Sequence, residues 1–334
     1  MIIGISGLEK WERQVFEAEL PSDKLVFLPD SINSSMMGRF SQLEGLVVFV
    51  NSKVDSNMLE CLPLLKFVMT MSTGYDHIDL DLCKKRGIVV CSVPSYGENT
   101  VAEQAFALIL ALSRKIVASV EQTKSGHFGV EGLRGFDLKG KTLGVLGTGK
   151  IGKNVVRMAL GFGMTVLLFD AYPDKKFARE VGCSYVSLEK LLSSSDIISL
   201  HMPYLKQTHH FLNRKRIGQM KRGSYVINTA RGGLIDTAAL VWGLKSGRIA
   251  GAGLDVLEEE SALKEEAQLV KKHYWKGVNR KVLSEDHELL SMKNVIITPH
   301  NAFNTHEALM RIVNVTVENI KGFKRGKLVN RVNG

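Results

Sequence analysis

A glycine-rich turn between two apolar segments constrains the fold of this chain more than any other feature. The segment Thr142–Leu146 has the length of a buried strand and runs into Gly147, Gly149 and Gly152, which have the spacing GxGxxG. A helix-like segment follows, and then a second apolar run that ends in Asp170, eighteen residues after the last glycine. Strand, glycines, helix, strand and acid in this order predict a βαβ unit that binds a dinucleotide.

Each glycine of this turn has its own predicted role. Gly147 allows the tight turn, and Gly149 lets backbone N–H groups approach a pyrophosphate. Gly152 lets the helix pack close to the strand, so that the helix N-terminus faces the phosphates.

Asp170 bears on the choice of cofactor. Its carboxylate is placed to accept hydrogen bonds from the adenosine ribose hydroxyls and repels the 2′-phosphate of NADP, which favours NAD. Lys175 and Lys176 follow closely and would soften that repulsion. The alternative role for Asp170 is that of a helix N-cap.

Length and composition are those of a large cytoplasmic enzyme. At 334 residues the chain predicts two domains, and its apolar fraction of 45% is ordinary for a globular protein. No apolar run reaches the roughly 18 residues of a membrane span, and the N-terminus lacks the pattern of a signal peptide. The cysteines show no CxxC pairing, so reduced thiols are expected rather than disulfides or a metal site. They are Cys61, Cys83, Cys91 and Cys183.

The net charge of +10 is unevenly distributed, because residues 1–100 carry −4 and the remainder therefore carries +14. A solvated, lysine-rich surface explains this excess, and the alternative is steering of an anionic cofactor and substrate. Nucleic-acid binding is not predicted, because no dense block of Arg and Lys with interleaved aromatic residues occurs.

Short apolar runs alternate with helical segments on both sides of residues 100–140, and this alternation predicts parallel sheets with crossover helices. The expected fold class is α/β, with two Rossmann-like or flavodoxin-like domains and a cleft between them. Residues 1–99 and 305–334 form one predicted domain. Residues 100–304 form the dinucleotide-binding domain, with a charged, irregular surface insertion at about 261–291.

A long helix is predicted from about Val101 to Thr123. Asn99 and Thr100 are candidate N-caps, and Glu103 completes a capping-box-like pattern with Thr100. Its Ala-, Leu- and Ile-rich face is suited either to joining the domains or to a subunit interface. A last predicted helix, 305–323, returns the chain to the first domain.

Three polar clusters follow apolar strand candidates, where ligands bind in open α/β sheets. Residues 228–236 contribute Arg231, residues 253–260 contribute Asp255 and Glu260, and residues 297–303 contribute His300. This combination suits hydride transfer to a 2-keto acid. A planar cation binds the substrate carboxylate in a bidentate manner, and an imidazolium beside a carboxylate protonates the developing alkoxide.

Each of these three residues also has a purely structural alternative. Arg231 is then an ion-pair partner, His300 a loop histidine, and Glu260 a surface carboxylate in the run that begins with Glu258 and Glu259.

Over nearly its whole length the chain resembles the D-isomer-specific 2-hydroxyacid dehydrogenase family, and within it the D-lactate dehydrogenase branch. That branch also has a long insertion before the histidine, and Ser261 stands where glyoxylate and hydroxypyruvate reductases usually have proline. The matching segments are STGYDHID (72–79), VPSYGENTVAEQAFALILALSRK (93–115), GVLGTGKIG (144–152), LHMPYLKQTHHFLN (200–213), NTARGGLID (228–236), GAGLDVLEEE (251–260) and TPHNAF (298–303).

The resemblance implies roles for the polar residues. Arg231 would orient the substrate carboxylate, His300 would be the acid in reduction and the base in oxidation, and Glu260 would pair with His300. Asp255 would contact the nicotinamide end of the cofactor. The other implied cofactor-binding residues are Lys150, Ile151, Met202, Pro203, Thr208, Thr229 and Ala230.

The resemblance also implies substrate contacts, some of them from the first domain. Backbone N–H groups of Thr73 and Gly74 would hold the substrate carboxylate, while Tyr96 and Phe303 would form the pocket wall. The branch often has tyrosine at the position of Phe303. As an alternative, Tyr96 and Phe303 are simple core residues.

The predicted function is that of an NAD-dependent D-2-hydroxyacid dehydrogenase acting on pyruvate and D-lactate, and the resemblance implies a homodimer. One alternative is a reductase for glyoxylate, hydroxypyruvate or a bulkier 2-keto acid. Another is an NAD-binding regulatory protein with little turnover.

Overall fold

The structure is a computed structural model that describes residues 1–260, 262–263 and 279–334. The contacts divide the chain into two units. Unit 1 consists of Met1–Tyr96 and Asn304–Gly334, and unit 2 consists of Gly97–Phe303. Each unit is built on a parallel sheet with helices, which confirms the predicted α/β fold class. Among the helices that the structure describes, none is long and apolar enough to span a bilayer.

The first 96 residues alternate strands with short helices, and the chain returns to unit 1 in a long final helix, α13 (His306–Lys324). The elements of the first 96 residues are β1 (Ile2–Ser6), α1 (Lys10–Glu19), β2 (Lys24–Leu28), α2 (Ser34–Met37), a 3-10 turn (Gly38–Phe40), β3 (Gly45–Val48), α3 (Ser56–Glu60), β4 (Phe67–Thr70), α4 (Leu80–Lys85) and β5 (Val89–Cys91).

The sheet of unit 1 has the strand order β2-β1-β3-β4-β5 with parallel pairing throughout. Its central strands β3 and β4 are fully buried, which explains why they form continuous apolar runs in the sequence. Helix α13 packs on α1 and β4, with the rings of Phe67 and Phe323 4.8 Å apart. The C-terminal residues cover the edge strand β5, where Val332 N donates to Val90 O at 2.9 Å.

Unit 2 carries the glycine motif and the three polar clusters. Its elements are α5 (Glu98–Ser113), α6 (Ile116–Lys124), β6 (Thr142–Leu146), α7 (Lys150–Gly161), β7 (Thr165–Phe169), α8 (Lys175–Val181), β8 (Ser184–Tyr185), α9 (Leu188–Ser194), β9 (Ile197–Leu200), α10 (Arg214–Gln219), β10 (Ser224–Asn228), a 3-10 turn (Gly232–Leu234), α11 (Thr237–Lys245), β11 (Ile249–Leu254), α12 (Arg280–Ser291) and β12 (Val295–Ile297).

The sheet of unit 2 has the order β12-β11-β10-β9-β6-β7-β8, again with parallel pairing. The chain proceeds from β6 toward β8 on one side and from β9 toward β12 on the other, so the switch point lies between β6 and β9. In open α/β sheets this is where ligands bind, beyond the carboxyl ends of the strands.

The single long helix predicted over 101–123 is wrong, because the chain forms two helices separated by Lys115 at φ 53°. The carbonyl of Ser113 accepts a hydrogen bond from Phe136 N at 2.9 Å, so the returning chain occupies the helix end. The first helix also begins earlier than predicted, with Gly97 as its N-cap. Thr100 is buried inside the helix, and Asn99 donates through its side chain to Glu103.

The predicted irregular insertion at 261–291 falls in part outside the described residues, which omit 261 and 264–278. Its last part is not irregular, because Arg280–Ser291 forms α12. The Asn279 side chain caps that helix, and Leu283 and Leu289 are buried beneath it. The short strand Ser184–Tyr185 has no counterpart in the sequence prediction, because two residues do not make a recognisable apolar run.

Candidate active site

The glycine-rich turn lies between the ends of β7 and β9. Gly147 has φ 96° and donates its N–H to Phe169 O at 2.9 Å, and a Cβ there would lie 2.7 Å from the backbone of His201. A Cβ on Gly152 would lie 2.1 Å from Gly147 O. The chain's own packing therefore requires glycine at both positions. A Cβ on Gly149, the N-cap of α7, would meet no atom within 4 Å.

The first two residues of α7 differ in their surroundings. Lys150 is exposed, and its Nζ lies 3.3 Å from the Glu98 carboxylate. Ile151 is partly buried against the apolar core of unit 2. Their predicted contacts along a pyrophosphate stay predictions.

Asp170 is the acid at the end of β7. Its Oδ2 accepts hydrogen bonds from the N–H of Thr148 at 2.6 Å and from the hydroxyl of Thr148 at 3.0 Å, and its Oδ1 accepts from Tyr172 N at 2.8 Å. The residue that caps α8 is Asp174, so the alternative role of Asp170 as that cap is wrong. Because a carboxylate has about four acceptor positions, Asp170 keeps capacity for a further donor such as a hydroxyl.

The segment after β9 forms a compact turn. Met202 is nearly buried, and the Thr208 hydroxyl donates to Pro203 O at 2.7 Å while accepting from Leu205 N at 2.7 Å. Thr208 therefore shapes the turn in which the predicted cofactor-lining residues lie.

The turn after β10 is held by Asn228, whose role the sequence prediction missed. Its Oδ1 accepts from Ala230 N at 3.0 Å, and its Nδ2 donates to Arg231 O at 2.9 Å. A side-chain amide at a strand end before a tight turn is the signal that would have identified it. Arg231 Nη1 donates to Ala230 O at 2.9 Å. Thr229 is 7% exposed, and within the described parts of the chain its hydroxyl has no hydrogen-bond partner.

Asp255, directly after β11, holds the loop that contains His300. Its carboxylate accepts from the Thr298 hydroxyl, from Asn301 N at 3.1 Å and from Ala302 N at 2.9 Å. Burial raises the pKa of Asp255, while these hydrogen bonds and the charge of His300 act in the opposite direction. Its observed contacts anchor the histidine loop, and its predicted contact with nicotinamide stays a prediction.

His300 and Glu260 form a close pair. The Nδ1 atom of His300 lies 3.1 and 3.0 Å from the two carboxylate oxygens of Glu260. Both side chains are about one-fifth exposed. His300 has φ 55°, a conformation that is uncommon outside glycine and that marks functional sites when the surroundings hold it.

The three consecutive glutamates have different partners. Glu258 contacts His210 and Thr237, at 2.6 and 2.9 Å. The backbone N–H of Glu259 donates to the buried Asp286 carboxylate at 3.1 Å. Glu260 is thus the glutamate of this run that faces His300, as the family resemblance implied.

The predicted substrate residues of unit 1 lie beyond the end of β4 and near the end of β5. The Thr73 hydroxyl donates to Val93 O at 2.9 Å, and the Ser72 hydroxyl donates to Gly74 O at 2.6 Å. Tyr96 is partly buried, and its carbonyl accepts from Arg311 Nε at 2.6 Å. Phe303, in unit 2, is also partly buried. Whether these residues bind substrate stays a prediction.

The end of the unit 2 sheet has the features of a dinucleotide site. Gly149 leaves open space at the N-terminus of the twelve-residue helix α7, a position that favours anions. The buried hydroxyl of Thr229 offers an unused hydrogen-bonding group, and Asp170 retains acceptor capacity. The residues present therefore fit a dinucleotide, and together with the histidine–carboxylate pair they define a dinucleotide-dependent oxidoreductase.

Comparison with known proteins agrees with this class. Residues 106–302 match the family model described as the D-isomer specific 2-hydroxyacid dehydrogenase, NAD binding domain. The D-lactate dehydrogenase of Escherichia coli is 38% identical over 85% of this chain and 84% of that protein. A glyoxylate reductase of Korarchaeum cryptofilum is 35% identical over 97% of this chain and 90% of that protein.

Among solved structures, the Aquifex aeolicus D-lactate dehydrogenase complexed with NAD and lactic acid matches with a TM-score of 0.87 and 37% identity. The match covers 100% of this chain and 99% of that one. The chain belongs to the D-isomer-specific 2-hydroxyacid dehydrogenase family, and it is an NAD-dependent enzyme of that family. The predicted family and cofactor are thereby confirmed.

Proposed function

We propose that this enzyme reduces pyruvate to D-lactate with NADH and catalyses the reverse oxidation. The observation that carries the proposal is the His300–Glu260 pair beyond β12 and β11, on the same sheet edge as Arg231 beyond β10. Similarity to a D-lactate dehydrogenase over the whole chain supports pyruvate as the substrate.

The chemistry divides between cofactor and protein. NADH supplies the hydride to the carbonyl carbon, while the protein binds and orients the keto acid and moves one proton. The guanidinium of Arg231 binds the substrate carboxylate in a bidentate manner and polarises the carbonyl. His300 donates the proton to the carbonyl oxygen.

The pairing geometry supports different roles for the two ring nitrogens of His300. Because Nδ1 faces the carboxylate of Glu260, Nε2 is the atom that gives the proton in reduction and takes it in oxidation. The carboxylate fixes the ring orientation. Asp255 holds the loop on which His300 lies.

A reductase for glyoxylate or hydroxypyruvate is the second candidate, and the glyoxylate reductase relative at 35% identity favours it. NADH oxidation at 340 nm separates the candidates. The substrates to compare are pyruvate, 2-ketobutyrate, phenylpyruvate, glyoxylate and hydroxypyruvate, and the assay is then repeated with NADPH. The highest kcat/KM for pyruvate with NADH supports the proposal, and the highest value for glyoxylate or hydroxypyruvate moves the enzyme to the second candidate. Absence of turnover with all five, despite NADH binding, contradicts both and points to a regulatory NAD-binding protein.

We also propose that the enzyme is a homodimer that uses the face of α6 and the segment after it. Ile116, Val117, Val120, Phe128 and Val130 are between 43% and 82% exposed, and a second copy would cover this apolar surface. Light scattering after gel filtration should give twice the chain mass. Val120→Glu should then shift the mass toward the monomer, and a monomeric wild type contradicts the proposal.

The proposed compartment is the cytoplasm. All four cysteines are unpaired. Burial raises the pKa of both Cys83 and Cys91 to about 11, so these thiols stay protonated at neutral pH. Unpaired thiols of this kind are usual in a reducing compartment. Cell fractionation tests the assignment, and recovery of the protein outside the cytoplasm would contradict it.

A further inference from the structure

A second histidine–glutamate pair lies in unit 2, between His210 and Glu258. The Nε2 atom of His210 lies 2.6 Å from Glu258 Oε1, and the Thr237 hydroxyl donates to Glu258 Oε2 at 2.9 Å. The side chain of Glu258 is 16% exposed, so little of this interaction is shared with water. Nothing in the proposed chemistry uses this pair.

The backbone at His210 is held in an uncommon conformation. Its φ is 49°, and its N–H donates to Gly233 O at 2.8 Å. Two residues later, Leu212 N donates to Leu234 O at 3.0 Å, and Asp236 N donates back to Leu212 O at 3.1 Å. The segment with His210 is therefore fixed along the turn that follows Arg231. A strained residue kept in place by such contacts is typical of functional sites.

Glu258 lies against the same turn from the other side. A Cβ on Gly232 would be 2.0 Å from Leu257 O and 2.5 Å from Glu258 N, so the two backbones are in direct contact. Glu258 is also two residues before Glu260. Glu258 therefore contacts the segment of Thr208 through its carboxylate and the turn after Arg231 through its backbone, and it lies in the same segment as Glu260.

We propose that His210 and Glu258 form a positioning pair, which keeps the turn of Arg231 in register with the segment that presents Glu260 to His300. The inference rests on the proposed function and adds two residues to it. The pair touches no reacting atom, so it acts by fixing the distance between the groups that hold the substrate carboxylate and protonate the carbonyl. Misplacement of about 1 Å at such groups lowers the rate roughly 100-fold.

Two variants break the pair with little change in shape. His210→Asn removes the imidazole but keeps a residue that tolerates positive φ, and Glu258→Gln removes the charge but keeps the size. Each should lower kcat/KM for pyruvate roughly 10- to 100-fold. Each should also weaken binding of oxamate, a pyruvate analogue, to the enzyme–NADH complex, whereas the Kd for NADH alone should not change.

The matched control is His209→Asn. His209 stacks on the His210 ring at 3.8 Å and contacts the Tyr204 hydroxyl at 3.0 Å, but its contacts do not include Glu258. It should retain wild-type kinetics. Melting temperatures of the variants should show whether a loss of activity only follows a loss of folded protein.

The double variant His210→Asn/Glu258→Gln decides whether the two residues act together. If they do, its loss of kcat/KM should not exceed that of the more damaged single variant. Three results would contradict the proposed positioning pair. They are losses of kcat/KM that multiply in the double variant, a weakening of NADH binding equal to that of oxamate binding, and wild-type kinetics in both single variants. Failure of the proposed function is seen separately, because it appears in the wild-type enzyme as absence of turnover and of oxamate binding, and the inference then falls with it.

Discussion

Two histidine–glutamate pairs use glutamates of the same acidic run, two residues apart. The pairs differ in the ring atom that faces the carboxylate and in the number of carboxylate oxygens that it faces. In the pair with Glu260, the imidazole faces both carboxylate oxygens through Nδ1. In the pair with Glu258, the imidazole faces one oxygen through Nε2, and Thr237 occupies the other oxygen. Both histidines have positive φ, so neither backbone strain nor a carboxylate partner distinguishes them.

Two features separate the pairs and underlie the different roles that we propose for them: the ring atom that faces the carboxylate, and the loop that carries the ring. His300 is carried by a loop that Asp255 anchors beyond β12, and it directs Nε2 away from its carboxylate. His210 is bound along a neighbouring turn by its own backbone, and its Nε2 is used internally. These differences support the proposed roles, which are proton transfer for the first pair and the positioning of two segments for the second.

The largest contrast between the pairs is expected at the histidines themselves. His300→Gln should lower kcat for pyruvate reduction roughly 1000-fold, because general acid catalysis contributes factors of this size. The NADH Kd from fluorescence titration should not change. His210→Asn should lower the rate far less, and equal losses in both variants would show that the two pairs do not differ in role.

Arg231→Lys tests the turn that the second pair is proposed to hold. The lysine keeps the charge but loses the bidentate fork, so kcat/KM for pyruvate should fall roughly 100-fold. Binding of NADH measured in parallel is expected to be normal. A variant that loses NADH binding and substrate use together would instead indicate a structural role for Arg231.

Much of this arrangement was predictable from the sequence, because glycine spacing and strand-end clusters are local signals. The strand Thr142–Leu146, for example, has the predicted bounds. The break at Lys115 was not predictable, because it depends on Phe136, a residue distant in sequence, reaching the carbonyl of Ser113.

The acidic run shows where sequence reasoning about the site ends. The family resemblance implied Glu260 as the partner of His300, but the residues themselves do not distinguish three adjacent glutamates until their neighbours are known. The role of Glu258 depends on His210 and Thr237, which lie 48 and 21 residues away in the chain. Such a connection exists only once three loops have been brought together by the parallel sheet.

The buried carboxyl of Asp286, which accepts a hydrogen bond from Glu259, is expected to make the free energy of unfolding depend on pH. Burial, followed by the charges of Glu258, Glu259 and Glu285, raises the pKa of Asp286 to about 7, although a hydrogen bond from the backbone of Glu259 lowers it. The folded state therefore binds a proton more tightly than the unfolded state does. The stabilisation is complete below the unfolded pKa and is lost as the pH rises through about 7.

Asp286→Asn should remove that loss. Between pH 6 and pH 8, the free energy of unfolding of the variant should rise by about 1 kcal/mol relative to the wild type, as the linkage relation gives for one group. Denaturant unfolding at several pH values measures it. Glu288→Gln, on the same helix and paired with Lys245, is the control and should change little across this range. The prediction is contradicted if the free energies of unfolding of the wild type and of Asp286→Asn change in parallel with pH.

The smallest kinetic effect is expected at Thr237, whose hydroxyl donates to the second oxygen of Glu258. Thr237→Val keeps the shape and removes the hydroxyl that donates to Glu258 at 2.9 Å, while the bond to His210 remains. The loss of one donor to a charged group should destabilise the fold by about 1–2 kcal/mol. Because His210 still fixes Glu258, kcat/KM for pyruvate should fall less than in Glu258→Gln. Thr237→Ser retains the hydroxyl and should keep most of the stability. A larger kinetic loss in Thr237→Val than in His210→Asn would make the threonine, not the histidine, the residue that positions Glu258.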